Sequence, residues 1–192
     1  DKIVMNKFPR NHCIIDCGAH IGDLSIPVCD ASKKFNRADI IIYAIDPSYE
    51  KCEYIKYIAK INDYKNLKVL HCGLSDKNKI LCNEGNTINH KNSGATIWSN
   101  NNKTNDCTNF YSINYLLHYK IIKEKIWLLH LDAEGSEYDI LLGITDYSSI
   151  IYISCEIHTN DEKNKNNITN LLESKNFINS KRLEQNEIFI RN

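Results

Sequence analysis

Five short apolar runs, separated by stretches of helical periodicity, limit what this chain can fold into more than any other feature. They are Cys13 to Ile15, Ile40 to Ile45, Leu67 to Leu70, Ile126 to Leu131 and Ile150 to Ile157. Ile40 to Ile45 has no polar member, which predicts a strand covered on both faces. Between the runs, Leu24 to about Lys34 is mainly apolar, and Tyr49 to Ile61 carries Ile55, Ile58 and Ala59 at helical spacing. Ser112 can cap a helix bearing Ile113, Leu116, Leu117 and Ile121, another runs through Ile140 to Gly143, and a last one carries Ile168, Leu171 and Leu172. Strand and helix in alternation imply a parallel sheet with right-handed crossovers. The alternating tail, Glu187 to Ile190, predicts an edge or antiparallel strand.

In such a sheet all parallel strands end on one side, where ligands bind. Four of the predicted strands end in acids there: Asp16, Asp46, Asp132 and Glu156. The first is followed by Gly18 and Gly22, a sharp turn into a helix that brings backbone and helix N–H groups close to a ligand. The spacing, Asp-x-Gly-x-x-x-Gly, is not the Gly-x-Gly-x-x-Gly of a dinucleotide site, which disfavours a nicotinamide-linked oxidoreductase. At the end of the second strand, Asp46 can accept from both hydroxyls of a ribose.

The chain has 192 residues, enough for one domain with a sizeable core, and it opens at Asp1, as a piece excised from a longer protein would. Its 24 basic side chains balance 24 acidic ones, so net charge calls for neither nucleic acid nor an anionic membrane. No run reaches the ~18 apolar residues of a membrane span, and no signal-peptide layout opens the chain. The expectation is a soluble, cytoplasmic protein. Of eight cysteines, Cys13, Cys17, Cys29, Cys72 and Cys155 lie in apolar segments and no Cys-x-x-Cys occurs, which predicts reduced, buried thiols. Cys82 and Cys107 lie in polar surroundings and can pair, though a bond between them is not the expectation. Residues 76–109, rich in Asn and Lys, break the rhythm and are expected to form a polar insertion holding a short hairpin or a flap.

The blocks CIIDCGAHIGDLS, IYAIDPSYEKCEYIKYIAKIN, LKVLHCGLSDK, LLHLDAEGSEYDILLGI and YISCEIH, in this order and spacing, resemble the successive motifs of the FkbM family of S-adenosylmethionine-dependent methyltransferases. The likeness runs from about Cys13 to the end, where EIFIRN resembles the family's closing strand. Asp-Ala-Glu-Gly-Ser-Glu is the most diagnostic block, close to the family's Asp-Val-Glu-Gly-x-Glu. The chain departs from the family at His130, where Lys is frequent, at Asp46, where Glu is frequent, and at Ile113-Asn114, where Leu-Asp is usual.

The resemblance implies an α/β, Rossmann-like class I methyltransferase fold: a mostly parallel seven-stranded sheet with helices on both faces. It implies S-adenosylmethionine as cofactor, its methionine end lined by Asp16, Gly18, His20 and Gly22, its ribose held by Asp46 and its adenine bordered by Leu74, Ser75 and Asp76, with Asp132 beside the reacting end. An acceptor hydroxyl needs a base, and Asp132, Glu134, Glu156 and His158 are the candidates. Alternatively Asp132 and Glu156, facing each other from adjacent strand ends, hold Mg2+ or Mn2+ that acidifies the acceptor. Glu137 is assigned to complementing the dipole of the helix after Gly135. A sugar hydroxyl in a glycan is the first expected acceptor, another small hydroxyl compound the second, and a nucleoside-binding module without catalysis the rival from another class. Oligomeric state stays open.

Overall fold

The structure is a computed structural model that describes residues 7–85, 98–100, 104–157, 162–183 and 186–192. In chain order its elements are β1 (His12–Cys17), α1 (Ser25–Lys34), β2 (Ile41–Asp46), α2 (Tyr49–Ile61), β3 (Leu67–His71), β4 (Gly73–Leu74), β5 (Lys79–Asn83), β6 (Trp98–Ser99), β7 (Cys107–Tyr111), α3 (Ile113–His118), β8 (Lys125–Leu131), α4 (Glu137–Leu142), β9 (Ile150–Glu156), α5 (Glu162–Ser174), β10 (Phe177–Leu183) and β11 (Asn186–Arg191). The large sheet has the order β10-β11-β9-β8-β1-β2-β3, with all neighbours parallel except those of β11. The tail strand is therefore antiparallel, and it is interior rather than an edge, because β10 pairs on its outer side.

Side chains of successive strand residues point to opposite faces, and this divides the core in two. On one face Cys13, Ile15 and Cys17 of β1 pack with Leu129 and Leu131 under Ile113 and Leu116 of α3, Ile140 and Leu141 of α4, and Ile168 and Leu172 of α5. On the other, Ile14, Ile42 and Ala44 pack against Cys29 of α1 and Ile55 of α2. The helix caps follow their sequence signals: Ser48 Oγ accepts from Lys51 N–H and Ser112 Oγ from Tyr115 N–H.

The break in rhythm after β3 is a second sheet of order β4-β7-β5-β6, so strands occupy part of the predicted insertion. Residues 86–97 and 101–103 of it, Gly94 among them, lie outside the described residues. Here the expectation of reduced thiols fails for one pair: Cys82 and Cys107 stand opposite each other in β5 and β7 and form a disulfide. The sequence singled the two out by their polar surroundings, but with no Cys-x-x-Cys or other spacing signal it did not favour a bond over free thiols. The other six cysteines are free and buried. Among the described residues no helix is long and apolar enough to cross a membrane.

Candidate functional site

The carboxyl ends of β1, β2 and β8 are tied together through the turn after β1. Gly18 N–H and Ala19 N–H both donate to Ile45 O, at 3.0 and 3.1 Å, while Asp132 N–H donates to Cys17 O at 3.0 Å. Gly18 has φ +79°, and a Cβ there would stand 1.8 Å from Asp132 O. Only glycine lets the turn close against β8. Gly22 N–H donates back to Ala19 O at 2.6 Å, which completes the turn. Asp16, Asp46 and Asp132 therefore share one rim.

The three acids are held differently. Asp46 is buried, and its Oδ2 accepts from His20 N–H at 2.9 Å while Oδ1 accepts from Ser48 N–H at 2.8 Å. Two backbone donors fix the carboxylate and leave it capacity for two further hydrogen bonds. His20 adopts φ +49° to aim its N–H there, and its ring meets Asp23 at 3.2 Å on the surface. Asp16 instead faces inward. Its Oδ2 accepts from Ser25 N–H at 3.1 Å and Ser25 Oγ at 2.5 Å. The helix predicted near Gly22 starts at Ser25, so one of its first N–H groups is satisfied by Asp16 rather than offered to a ligand. Burial pushes the Asp16 carboxyl up, and the Ser25 bonds and nearby His130 work against that push.

Asp132 is half-buried beside Glu156, the last residue of β9. Burial first, then the charge and hydrogen bond of Glu156, raise its pKa to about 7. Two carboxyls in contact are stable when they share a proton. The following loop bends through Glu134 at φ +50° and Gly135 at φ +97°, leaving Glu134 exposed. Glu137 does more than complement a helix dipole. It is buried, and its Oε1 accepts from Ala133 N–H at 2.7 Å and Gly135 N–H at 3.2 Å, clamping the loop that follows Asp132. Its signal in the sequence was an acid placed where a glycine turn leaves amides to be satisfied, a pattern that equally fits a simple first-turn charge.

On the other flank Cys72 N–H donates to Asp46 O at 3.1 Å, which ties the end of β3 to β2. His71 lies in register with Asp46 and places Nε2 3.1 Å from Pro47 O and 3.3 Å from Thr108 Oγ1. A carbonyl only accepts, so Nε2 carries the proton. Sequence reasoning missed both His71 and Thr108, which meet only because β7 returns to this edge. Ser75 is buried, donating N–H to Tyr111 O at 3.0 Å and Oγ–H to Asp76 Oδ1 at 2.9 Å. That bond, with Lys79 at 3.2 Å, holds the Asp76 carboxyl below its ordinary range.

His158 lies outside the described residues. Among the described residues no group of three or more His, Cys, Asp or Glu side chains is arranged to hold a metal ion. An open groove of about 630 Å³ runs between α3 and α4, lined by Ser112, Tyr115, Tyr119, Leu142 and others, but it includes only Asp76 of the predicted site.

A family model described as the methyltransferase FkbM domain matches residues 16–179. Among solved structures, the chain is similar to the methyltransferase FkbM of Methylobacillus flagellatus KT, with TM-score 0.63, 14% identity, 95% of this chain and 44% of that one. This chain thus spans less than half the length of that relative. It is also similar to magnesium protoporphyrin IX methyltransferase of Synechocystis PCC 6803 with bound S-adenosylmethionine, at TM-score 0.50 and 11% identity over 100% of this chain and 74% of that one. TrmK of M. capricolum, in complex with S-adenosyl-homocysteine, gives TM-score 0.50 and 12% identity over 98% and 65%. These likenesses establish the Rossmann-like class I methyltransferase fold. No curated protein matches the sequence.

Proposed function

The chain belongs to the FkbM methyltransferase family, and from that premise we propose that it transfers the methyl group of S-adenosylmethionine to a hydroxyl of a sugar in a glycan. The observation that carries the reading is the rim, where a glycine turn, a backbone-fixed Asp46 and the Asp132–Glu156 pair meet at neighbouring strand ends. When bound, the cofactor supplies a methyl group on a sulfonium.

The residues of the chain have three tasks. Asp46 offers its two remaining acceptor positions to the ribose hydroxyls, each charge-assisted bond contributing about 1.5 to 3 kcal/mol. Gly18, His20 and Gly22 shape a backbone surface against the methionine end, Asp16 holds that turn from beneath, and Ser75 and Asp76 border the adenine. Asp132, once the proton it shares with Glu156 is lost as pH approaches and passes 7, takes the proton of the acceptor hydroxyl, a step worth roughly 10²- to 10⁴-fold. Glu134, and His158 outside the described residues, are the other candidates for that base. The two hard carboxylates also suit Mg2+ or Mn2+ that keeps most of its waters, and such an ion would lower the acceptor's pKa.

Isothermal titration with S-adenosylmethionine and S-adenosylhomocysteine tests the first half of this reading, and absence of heat for both rejects it. Labelled methyl transfer to a panel of glycans, other small hydroxyl compounds and RNA, with and without a chelator, tests the second. Incorporation into RNA or non-sugar hydroxyls alone would replace the glycan assignment, binding without any turnover would favour a silent nucleoside-binding module, and chelator-resistant transfer would remove the cation.

A further inference from the structure

The disulfide and the rim are joined by a short chain of contacts. Cys82 is buried and Cys107 exposed, directly opposite each other in the β5–β7 pair. Thr108, next to Cys107, is buried with Oγ1 3.3 Å from His71 Nε2, and that same nitrogen lies 3.1 Å from Pro47 O in the turn after Asp46. Three residues further along β7, Tyr111 O accepts from Ser75 N–H at 3.0 Å. β7 thus reaches the turn after Asp46 through His71 at one end and bonds Ser75 directly at the other. The pairing that holds β7 is slight: four register pairs with β5 and two with β4. With so few pairs, the covalent link between β5 and β7 adds a restraint that the strand pairing alone does not give.

We propose that the Cys82–Cys107 disulfide is a redox latch that sets cofactor affinity, with Thr108 and His71 as positioning residues between the latch and the Asp46 turn. The proposal rests on the reading that this turn and Ser75 hold the cofactor. A dithiol reductant opens the latch: its thiolate attacks exposed Cys107 Sγ, the S–S bond breaks, and Cys82 leaves as a thiolate that takes up a proton. The reductant's second thiol then displaces Cys107, so two protein thiols form and the dithiol is oxidised to its disulfide. With β7 then held to its neighbours by strand pairing alone, its contacts to His71 and Ser75 loosen.

The test is titration of S-adenosylhomocysteine into the oxidised protein and into protein reduced with dithiothreitol, beside Cys82→Ser/Cys107→Ser and Thr108→Val. Reduction is expected to raise Kd at least about five-fold. The double serine variant should show the weakened value with no response to dithiothreitol, and Thr108→Val should weaken binding with the disulfide intact. Kd values within two-fold in both redox states, or a response that persists in the double variant, overturn the latch. Amide exchange at Ser75 is followed in parallel on the wild type, where folding of variants is not at issue. If the oxidised protein binds no ligand, the cofactor reading fails, and the latch is decided by whether reduction speeds exchange at Ser75 or leaves it unchanged.

Discussion

A single methyl group at Gly18 would collide with Asp132 O, because the two backbones touch there and φ is +79°. Gly18→Ala is expected to cost about 2 to 4 kcal/mol in urea unfolding, from overpacking together with a strained dihedral, and to abolish cofactor binding. Asp46→Ala removes two charge-assisted acceptor positions and should weaken S-adenosylhomocysteine binding by at least about 100-fold by titration. Asp132 gives a pH signature. Its carboxyl is raised to about 7 in the folded protein, so folding favours the protonated form. Its contribution to stability is full below the ordinary carboxylate range and declines as pH rises towards 7; the urea midpoint should fall more between pH 5 and 8 in the wild type than in Asp132→Asn. Methyl transfer should run the opposite way, rising as pH approaches and passes 7. At this scale the acids were legible because they end apolar runs. The partners that orient them were not, because the amides of His20 and Ser48 and the clamp of Glu137 depend on backbone torsions that no side-chain pattern encodes.

Helix α1 shows how one element is fixed by another. Asp16, three residues after the first buried core position of β1, reaches across the turn to bond both N–H and Oγ of Ser25, which is fully buried. Asp16→Ala would leave those donors unsatisfied and is expected to lower stability by about 1 to 3 kcal/mol, with the loss read from thermal or urea unfolding. The predicted helix over Tyr49 to Ile61 and the strands at Ile40 to Ile45 and Ile126 to Leu131 correspond to α2, β2 and β8, since a long periodic or continuous apolar segment has few other ways to bury itself. The small sheet was harder to read. β4 and β6 are two residues each, and β7 alternates with Asn and Thr between Cys107 and Phe110, so no run was long enough to stand out from the polar surroundings.

For the molecule as a whole, alternation of strand and helix in the sequence predicted the parallel order of β1, β2, β3, β8 and β9, and the connecting helices pack on both faces. The position of β11 could not be had that way: periodicity reveals that a strand has one more and one less buried face, not which neighbours it chooses. It pairs with β9 on one side and β10 on the other. A strand that follows both of its neighbours in the chain has to slip into a gap already framed by them. Until it does, two rows of backbone amides and carbonyls stand open, and a chain shortened by residues 186–192 should be recovered as aggregate rather than in the soluble fraction.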